Sequence, residues 1–219
     1  MRICFLTKIE KSGVKDAIAF TKNIIKDIDI FYGESVDPFP EKVKKNNYDL
    51  LISYISPWIV HKSVIDKTKR WNINFHPGSP EYPGIGCFNF AIFDSAKQFG
   101  VTAHIMESKV DTGEIIGVKR FSMAEEETVE SLSLKTYSVL LSLYKDIISY
   151  IVINDSLPHS GETWKKKPYK RSELEDLATI KTNMSEQEIE KRIRATYYHG
   201  KPAPFIELYG HKFEYNPDR

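Results

Sequence analysis

The stretch DLLISY, residues 49–54, is short, rich in β-formers and apolar on consecutive rather than alternate positions. A strand reads this way when helices cover both of its faces, as they do in a parallel sheet. Upstream, residues 2–7 (RICFLT) and 27–32 read as two further strands. Between them, residues 13–26 form a helix with Val14, Ala17, Ile18, Phe20, Ile24 and Ile25 to one side. Pro38 and Pro40 break the second strand from a short basic helix at 41–46. Downstream, Pro57 opens another helix that ends near the basic run at 67–70. There follow a strand at 71–75, a helix at 88–97, strands at 101–106 and 115–121, and a long amphipathic helix at 128–153. Strands alternating with helices of about 10–15 residues are the mark of βαβ units. The expected fold is therefore α/β: a Rossmann-like domain with a mostly parallel sheet over residues 1–155. A small α+β region follows at 156–219. Its first part, NDSLPHSGETWKKKPYK (154–170), is polar, broken and lysine-rich, and reads as a boundary. A capping box, Ser185-x-x-Glu188, begins a helix there. The closing KPAPFIELYGHKFEY reads as a β-hairpin turning at Tyr209 and Gly210.

A chain of 219 residues buries roughly 70% of its extended surface, ample for one large domain and an appendage. The formal net charge of +1 leaves no clustered basic excess of the kind nucleic acid demands. Cys4 and Cys87 have no metal-ligand spacing and suit a reducing compartment. No signal peptide opens the sequence, and no run approaches the roughly 18 apolar residues of a membrane span. The expectation is a cytoplasmic protein bound to neither membrane nor nucleic acid.

The strand at 71–75 leads into NINFHPGSPEYPGIGCFNF (72–90), where two Pro-Gly turns follow an Asn-x-His pair. Ligands of open α/β sheets bind beyond the carboxyl ends of the strands. Asn74 and His76 stand there two residues apart, so strand alternation turns both side chains to one face. Asn brings an amide donor, and His a group that titrates near neutrality. Asp111, in SKVDTGEII just past the strand at 101–106, supplies an acid to orient the imidazole. Donor, base and carboxylate about one crevice suit acyl transfer, which must stabilise an oxyanion and remove a proton from the nucleophile. Each piece also has a plainer reading. Asn-x-His is commonly a polar pair in a turn or core, Asp-Thr-Gly is a common turn, and His104 in GVTAHIM reads as a buried, satisfied histidine. Cys87 is either a nucleophile beside His76 or a packed thiol, and packing is the more usual role. No G-x-G-x-x-G follows the first strand, which argues against a nucleotide-binding oxidoreductase.

Taken together, NxHPG, then GVTxH, then VDTGxII resemble the formyltransferases that use N10-formyltetrahydrofolate, over residues 49–116. Glycinamide ribonucleotide transformylase and methionyl-tRNA formyltransferase belong to that family. The resemblance implies a catalytic trio of Asn74, His76 and Asp111, with His104 supporting it from behind. It also implies a folate site of backbone groups around Trp58, Ile59, Val60, Glu107, Val110 and Asp111, and no metal. Those two enzymes usually follow the histidine with a Ser-Leu-Leu-Pro type segment; here it is Gly78-Ser79-Pro80-Glu81-Tyr82-Pro83-Gly84. The serine- and glycine-rich phosphate loop of the nucleotide enzyme is replaced by LTKIEKSGVK.

By contrast, FHPGSPEYPGIGCFNFAI and RIRATYYHGKPAPFIEL look like the sugar N-formyltransferases. The implied acceptor is then the 3- or 4-amino group of a dTDP-linked dideoxysugar destined for O-antigen or another surface polysaccharide. A GDP-linked amino sugar, methionyl-tRNA, and a non-catalytic folate-binding role stay as alternatives. Tyr82 and Phe88 are expected to wall the sugar. Lys69 and Arg70 either meet the pyrophosphate or form a solvated charge run, and Tyr197 or Tyr198 would stack on the base. A two-stranded hairpin is marginal alone, so the aromatic tail is expected to pack on its own domain and against a second copy in a two-fold dimer.

Overall fold

The computed structural model describes residues 1–217. Strands β1 (Ile3–Thr7), β2 (Ile28–Tyr32), β3 (Leu50–Tyr54) and β4 (Trp71–His76) pair in parallel. The antiparallel strands β5 (Gln98–Ile105) and β6 (Ile115–Ser122) complete one sheet in the order β2-β1-β3-β4-β5-β6. The mostly parallel α/β sheet is thus present, with an antiparallel margin. Within that margin β6 runs antiparallel to β5 because the loop joining them is too short for the crossover that a parallel pair requires.

Alternation divides the sheet into two faces. Ile3, Phe5, Leu50, Ile52, Tyr54, Ile73 and Phe75 share one core, beneath α1 (Val14–Ile24) and α5 (Val129–Asn154). Cys4, Leu6 and Leu51 turn the other way, onto Val43 of α2 (Glu41–Lys45) and Val64 of α3 (Lys62–Ile65). Asn74 and His76, out of phase with Ile73 and Phe75, belong to this second face.

Helix α5 buries Leu140, Leu143, Tyr144, Ile147, Ile148 and Ile151, a helical stripe laid on the sheet. Tyr144 sits among Phe5, Phe20, Tyr54 and Phe75, with ring centroids 4.8–6.4 Å away. Its hydroxyl lies 2.5 Å from Thr21 Oγ1 and is satisfied there, whereas the buried Tyr54 hydroxyl in the same aromatic nest has no hydrogen-bond partner. Among the described residues α5 is also long and apolar enough to cross a membrane by length and composition, which corrects the sequence expectation. Lys145 and Asp146 interrupt the apolar run and hid it from a search for consecutive apolar residues. Its apolar stripe faces the sheet, as in a core helix.

Three further expectations change. The helix expected from Pro57 is only the four-residue α3, and the chain before it is irregular. The helix expected over 88–97 is α4 (Cys87–Phe93), which ends where Ser95 turns the chain with φ 52° into β5. Ser185 caps α7 (Glu186–Thr196) by accepting from the Glu188 N–H, but the Glu188 carboxylate turns to Arg192 instead of closing the box.

The closing hairpin forms as expected. Strands β8 (Phe205–Leu208) and β9 (His211–Glu214) join through Tyr209 and Gly210, whose φ values of 51° and 78° are those a tight two-residue turn requires. It pairs with the unanticipated β7 (Thr179–Ile180), which follows α6 (Arg171–Ala178). Helices α6 and α7 pack through Leu177 and Ala195 into a second core with Phe90, Phe99 and Leu132. There Tyr169 stacks on Phe90 at 3.7 Å.

Candidate active site

A cleft of about 220 Å³ opens beyond the carboxyl ends of β3 and β4. Asn74, His76, His104 and Asp111 all line it, as do Trp58, Ile59, Val60, Glu107 and Val110. Strand pairing sets His104 of β5 directly opposite Asn74 of β4. The loop after β5 then brings Asp111 up from below, in a left-handed conformation with φ 47°. That turn needs Gly113, because a Cβ there would lie 2.0 Å from the Ile105 carbonyl oxygen.

Asp111 is the hub. One carboxylate oxygen lies 3.1 Å from His104 Nε2 and accepts from the Asn74 amide at 3.5 Å. The other lies 3.3 Å from His76 Nδ1 and accepts the Gly84 N–H at 2.7 Å. Burial pushes its pKa upward, but the charge of His76, the hydrogen bond and charge of His104, and the Gly84 N–H outweigh burial. The carboxyl is held well below the usual range. His76 is nearly buried, and its Nε2 lies 3.0 Å from the carbonyl oxygen of Tyr82. Both ring nitrogens therefore face oxygen acceptors. His104 Nδ1 lies 2.8 Å from the Ile105 carbonyl oxygen, and its Nε2 is 3.0 Å from the Asn74 amide nitrogen. The four side chains make one hydrogen-bonded group rather than four neighbours.

Cys87 takes no part. Its Sγ donates to the Pro77 carbonyl, and burial pushes its thiol up to about 12. A thiol held protonated is a poor nucleophile. Among the described residues no cluster of His, Cys, Asp and Glu is suited to hold a metal.

A second cavity, of about 550 Å³, lies across the 77–89 segment. Pro77, Gly84 and Ile85 wall the first space, and Phe88 and Asn89 the second. Its rim carries Lys11, Arg171, Lys201 and Lys212, its wall Phe88, Tyr137 and Tyr198. Lys212 pairs with Glu214, whereas Lys11, Arg171 and Lys201 form no ion pair among the described residues. Partial burial, then the charges of Lys8 and Lys201, lower the Lys11 pKa. Unpaired Lys11, Arg171 and Lys201 outnumber Glu175, the one carboxylate among the cavity's lining residues, and that positive excess favours an anion there.

The expected substrate residues divide accordingly. Phe88 and Tyr198 line this larger cavity. Tyr197 lines neither, and packs edge-on against Tyr215 of the hairpin at 5.6 Å. The Tyr82 ring lines neither cavity: it is buried against Phe99 beneath Lys166, and its carbonyl faces His76. Lys69 and Arg70 stand at the amino end of β4, away from the crevice. There they meet Asp49 at 3.7 Å and Asp155 at 2.6 Å, so they serve the strand's base. The sequence reading missed the cations of the second cavity, which come from loops and elements far apart in sequence. It also missed Trp164, whose signal was a lone tryptophan inside a polar, lysine-rich stretch.

The formyl transferase family matches residues 30–147. Methionyl-tRNA formyltransferase of Ehrlichia ruminantium (strain Welgevonden) is 27% identical over 171 residues, covering 78% of this chain and 54% of that protein. The chain thus spans about half the length of the curated relatives it matches. A sugar N-formyltransferase from Shewanella sp FDAARGOS_354 superposes with a TM-score of 0.79 at 18% identity, over 98% of this chain and 96% of that one. The N-formyltransferase of Helicobacter canadensis, solved with folinic acid and dTDP-3-aminofucose, gives 0.74 at 18% identity, over 96% and 85%. At these identities the structures share a fold with this chain.

Proposed function

The chain belongs to the formyl transferase family, and from that premise we propose that it is an N10-formyltetrahydrofolate-dependent N-formyltransferase whose acceptor is a dTDP-linked 3- or 4-amino-dideoxysugar. The observation that carries the transferase reading is the convergence of Asn74, His76 and Asp111 on one cleft. The folate is assigned to that cleft, and its lining supports the assignment: the exposed side chains of Ile59, Ile85 and Val110 offer apolar walls for a flat heterocycle, and irregular backbone at 55–61 and 107–110 offers edges to pair with it. The cosubstrate supplies the formyl group: the neutral amine nitrogen bonds to the formyl carbon, the bond from that carbon to the cosubstrate's N10 breaks, and the proton lost by the amine is balanced by the one gained at N10. Asn74 has amide hydrogens to donate to the formyl oxygen as it gains charge. His76 holds its proton against Asp111 through Nδ1 and presents Nε2, now on the Tyr82 carbonyl, to the reacting groups once that contact is exchanged. Asp111, 3.3 Å from Nδ1, orients the ring.

The sugar nucleotide is assigned to the larger cavity. Unpaired Lys11, Arg171 and Lys201 suit a diphosphate, and Tyr198 or Phe88 a base. The dTDP-amino sugar bound to the Helicobacter canadensis relative supports the same class, and favours it over the methionyl-tRNA of the curated relatives. We assign the product to cytoplasmic supply of surface polysaccharide, and the functional unit to a homodimer.

The test is formyl transfer to dTDP-, GDP- and UDP-linked amino sugars, read by mass spectrometry alongside thermal shift with each nucleotide. A selective binder of the native state raises the melting temperature. dTDP is expected to stabilise most. His76→Asn and Asn74→Ala are expected to cost on the order of a hundredfold in turnover, and Cys87→Ser little. Stabilisation by GDP alone would move the substrate to a GDP-sugar. A well-folded but inactive Cys87→Ser would restore the thiol as a candidate nucleophile.

A further inference from the structure

Between α5 and α6 the chain runs irregularly through residues 155–170 and lies across the back of the site. Ser160 Oγ donates to the Ile115 carbonyl at 2.5 Å and the Lys165 N–H to the Pro80 carbonyl at 2.9 Å. The Tyr169 N–H and carbonyl bracket Pro83 and Ile85 at 3.0 and 3.1 Å. At its centre is Trp164, partly buried. Its indole N–H donates to the Gly113 carbonyl at 2.8 Å. Its ring meets that of His104 at 5.1 Å and that of His76 at 6.0 Å, at interplanar angles of 82° and 70°. One side chain thus touches both imidazoles that flank Asp111 and pins the turn, two residues on, that gives Asp111 its left-handed backbone.

We infer that Trp164 is a positioning residue for formyl transfer: it sets the orientation of His76 and His104 about Asp111 and closes the trio from behind. This rests on the formyl-transfer reading above. Three groups must keep their mutual geometry while substrates pass through the front of the cleft. The contacts of His104, His76 and Asn74 with Asp111 are long enough, 3.1 to 3.5 Å, to permit small rotations. Displacement of about 1 Å in such a group costs rate rather than substrate affinity. A rigid indole hydrogen-bonded to backbone removes that freedom without entering the cleft, and Trp164 is not among the cleft's lining residues.

The experiment compares wild type, Trp164→Phe and Trp164→Leu by steady-state kinetics and by the imidazole ring resonances of His76 and His104 in the ligand-free protein. Phe keeps a ring beside the histidines and loses the hydrogen bond to Gly113; Leu loses both. Turnover is expected to fall about tenfold or more in Trp164→Leu and severalfold in Trp164→Phe, with KM for both substrates within about twofold. Both histidine resonances are expected to move in Trp164→Leu and to lie nearer wild type in Trp164→Phe. The inference is overturned if a folded Trp164→Leu keeps wild-type turnover, or if its histidine resonances stay in place. Should Trp164→Leu fail to fold, Trp164→Phe decides: unchanged turnover overturns the role. A wild-type protein that transfers no formyl group would sink the functional reading instead. The histidine resonances would then still support or overturn the placement of Trp164.

Discussion

A single buried carboxylate, Asp111, receives contacts from Asn74, His76, His104 and the Gly84 N–H, which makes it the residue whose ionisation the site depends on. Its folded pKa lies below its unfolded value of about 3.9, so its stabilising contribution is complete above that value. The contribution declines as pH falls below that value and is gone below the folded pKa. Asp111→Asn is therefore expected to be less stable than wild type by on the order of 1–3 kcal/mol at about pH 6, since partners are left unpaired. The gap should stay level down to about pH 5 and start to narrow below about pH 4. Urea denaturation at several pH values checks this, and a gap that widens on acidification would contradict it. At this scale much was legible. The two-residue spacing of Asn74 and His76 fixes a shared face by strand parity, and a loop acid opposite them was a short list. The carbonyl of Tyr82 and the N–H of Gly84 were not legible, because backbone groups carry no residue signature. For Lys69 and Arg70 the sequence left pyrophosphate contact and a solvated charge run both open, because a basic pair looks the same at either end of a strand.

The polar segment at 155–170 shows how composition misreports an element whose contacts are made by its backbone. Lysines and broken periodicity signal solvent, and the lysine side chains there are indeed exposed. The main chain is nonetheless docked against residues 80–85. Gly84 is where this docking is tightest. It has φ 85°, and a Cβ there would fall 2.5 Å from the Tyr169 carbonyl oxygen and 2.6 Å from its nitrogen. Gly161, at φ 69°, supplies a control within the same segment, because a Cβ there would meet nothing within 4 Å. Gly161→Ala should thus cost only left-handed strain, about 1 kcal/mol. Gly84→Ala adds a backbone collision and should cost about 3 kcal/mol or more, with loss of turnover because the N–H to Asp111 moves. Chemical denaturation of the two variants compares them directly. Equal costs would mean that the 80–85 loop shifts freely and that the segment does not hold it.

For the whole molecule, alternation of strands and helices was enough to name the sheet and its covering helices, since burial on two faces writes itself into consecutive apolar residues. The antiparallel margin and the second core were not written locally; they depend on how connections and distant helices meet. The same argument leaves the tail as the open surface. Strand β9 is exposed along its length at the free edge of its small sheet. Phe213 is 56% exposed and Tyr209 fully so, while Phe205 faces the larger cavity. An uncovered edge with aromatic side chains invites pairing, and two-fold association is the commonest way a chain covers it. The protein should therefore scatter light as a dimer at micromolar concentration. Phe213→Glu combined with Tyr209→Lys should shift it to monomer, because charge on both aromatic positions opposes burial of that edge. Neither residue lines the cleft or the larger cavity, so turnover per chain should change less than about twofold. A wild-type monomer at that concentration would remove the dimer. A dimer that survives both substitutions would place the interface elsewhere on the surface.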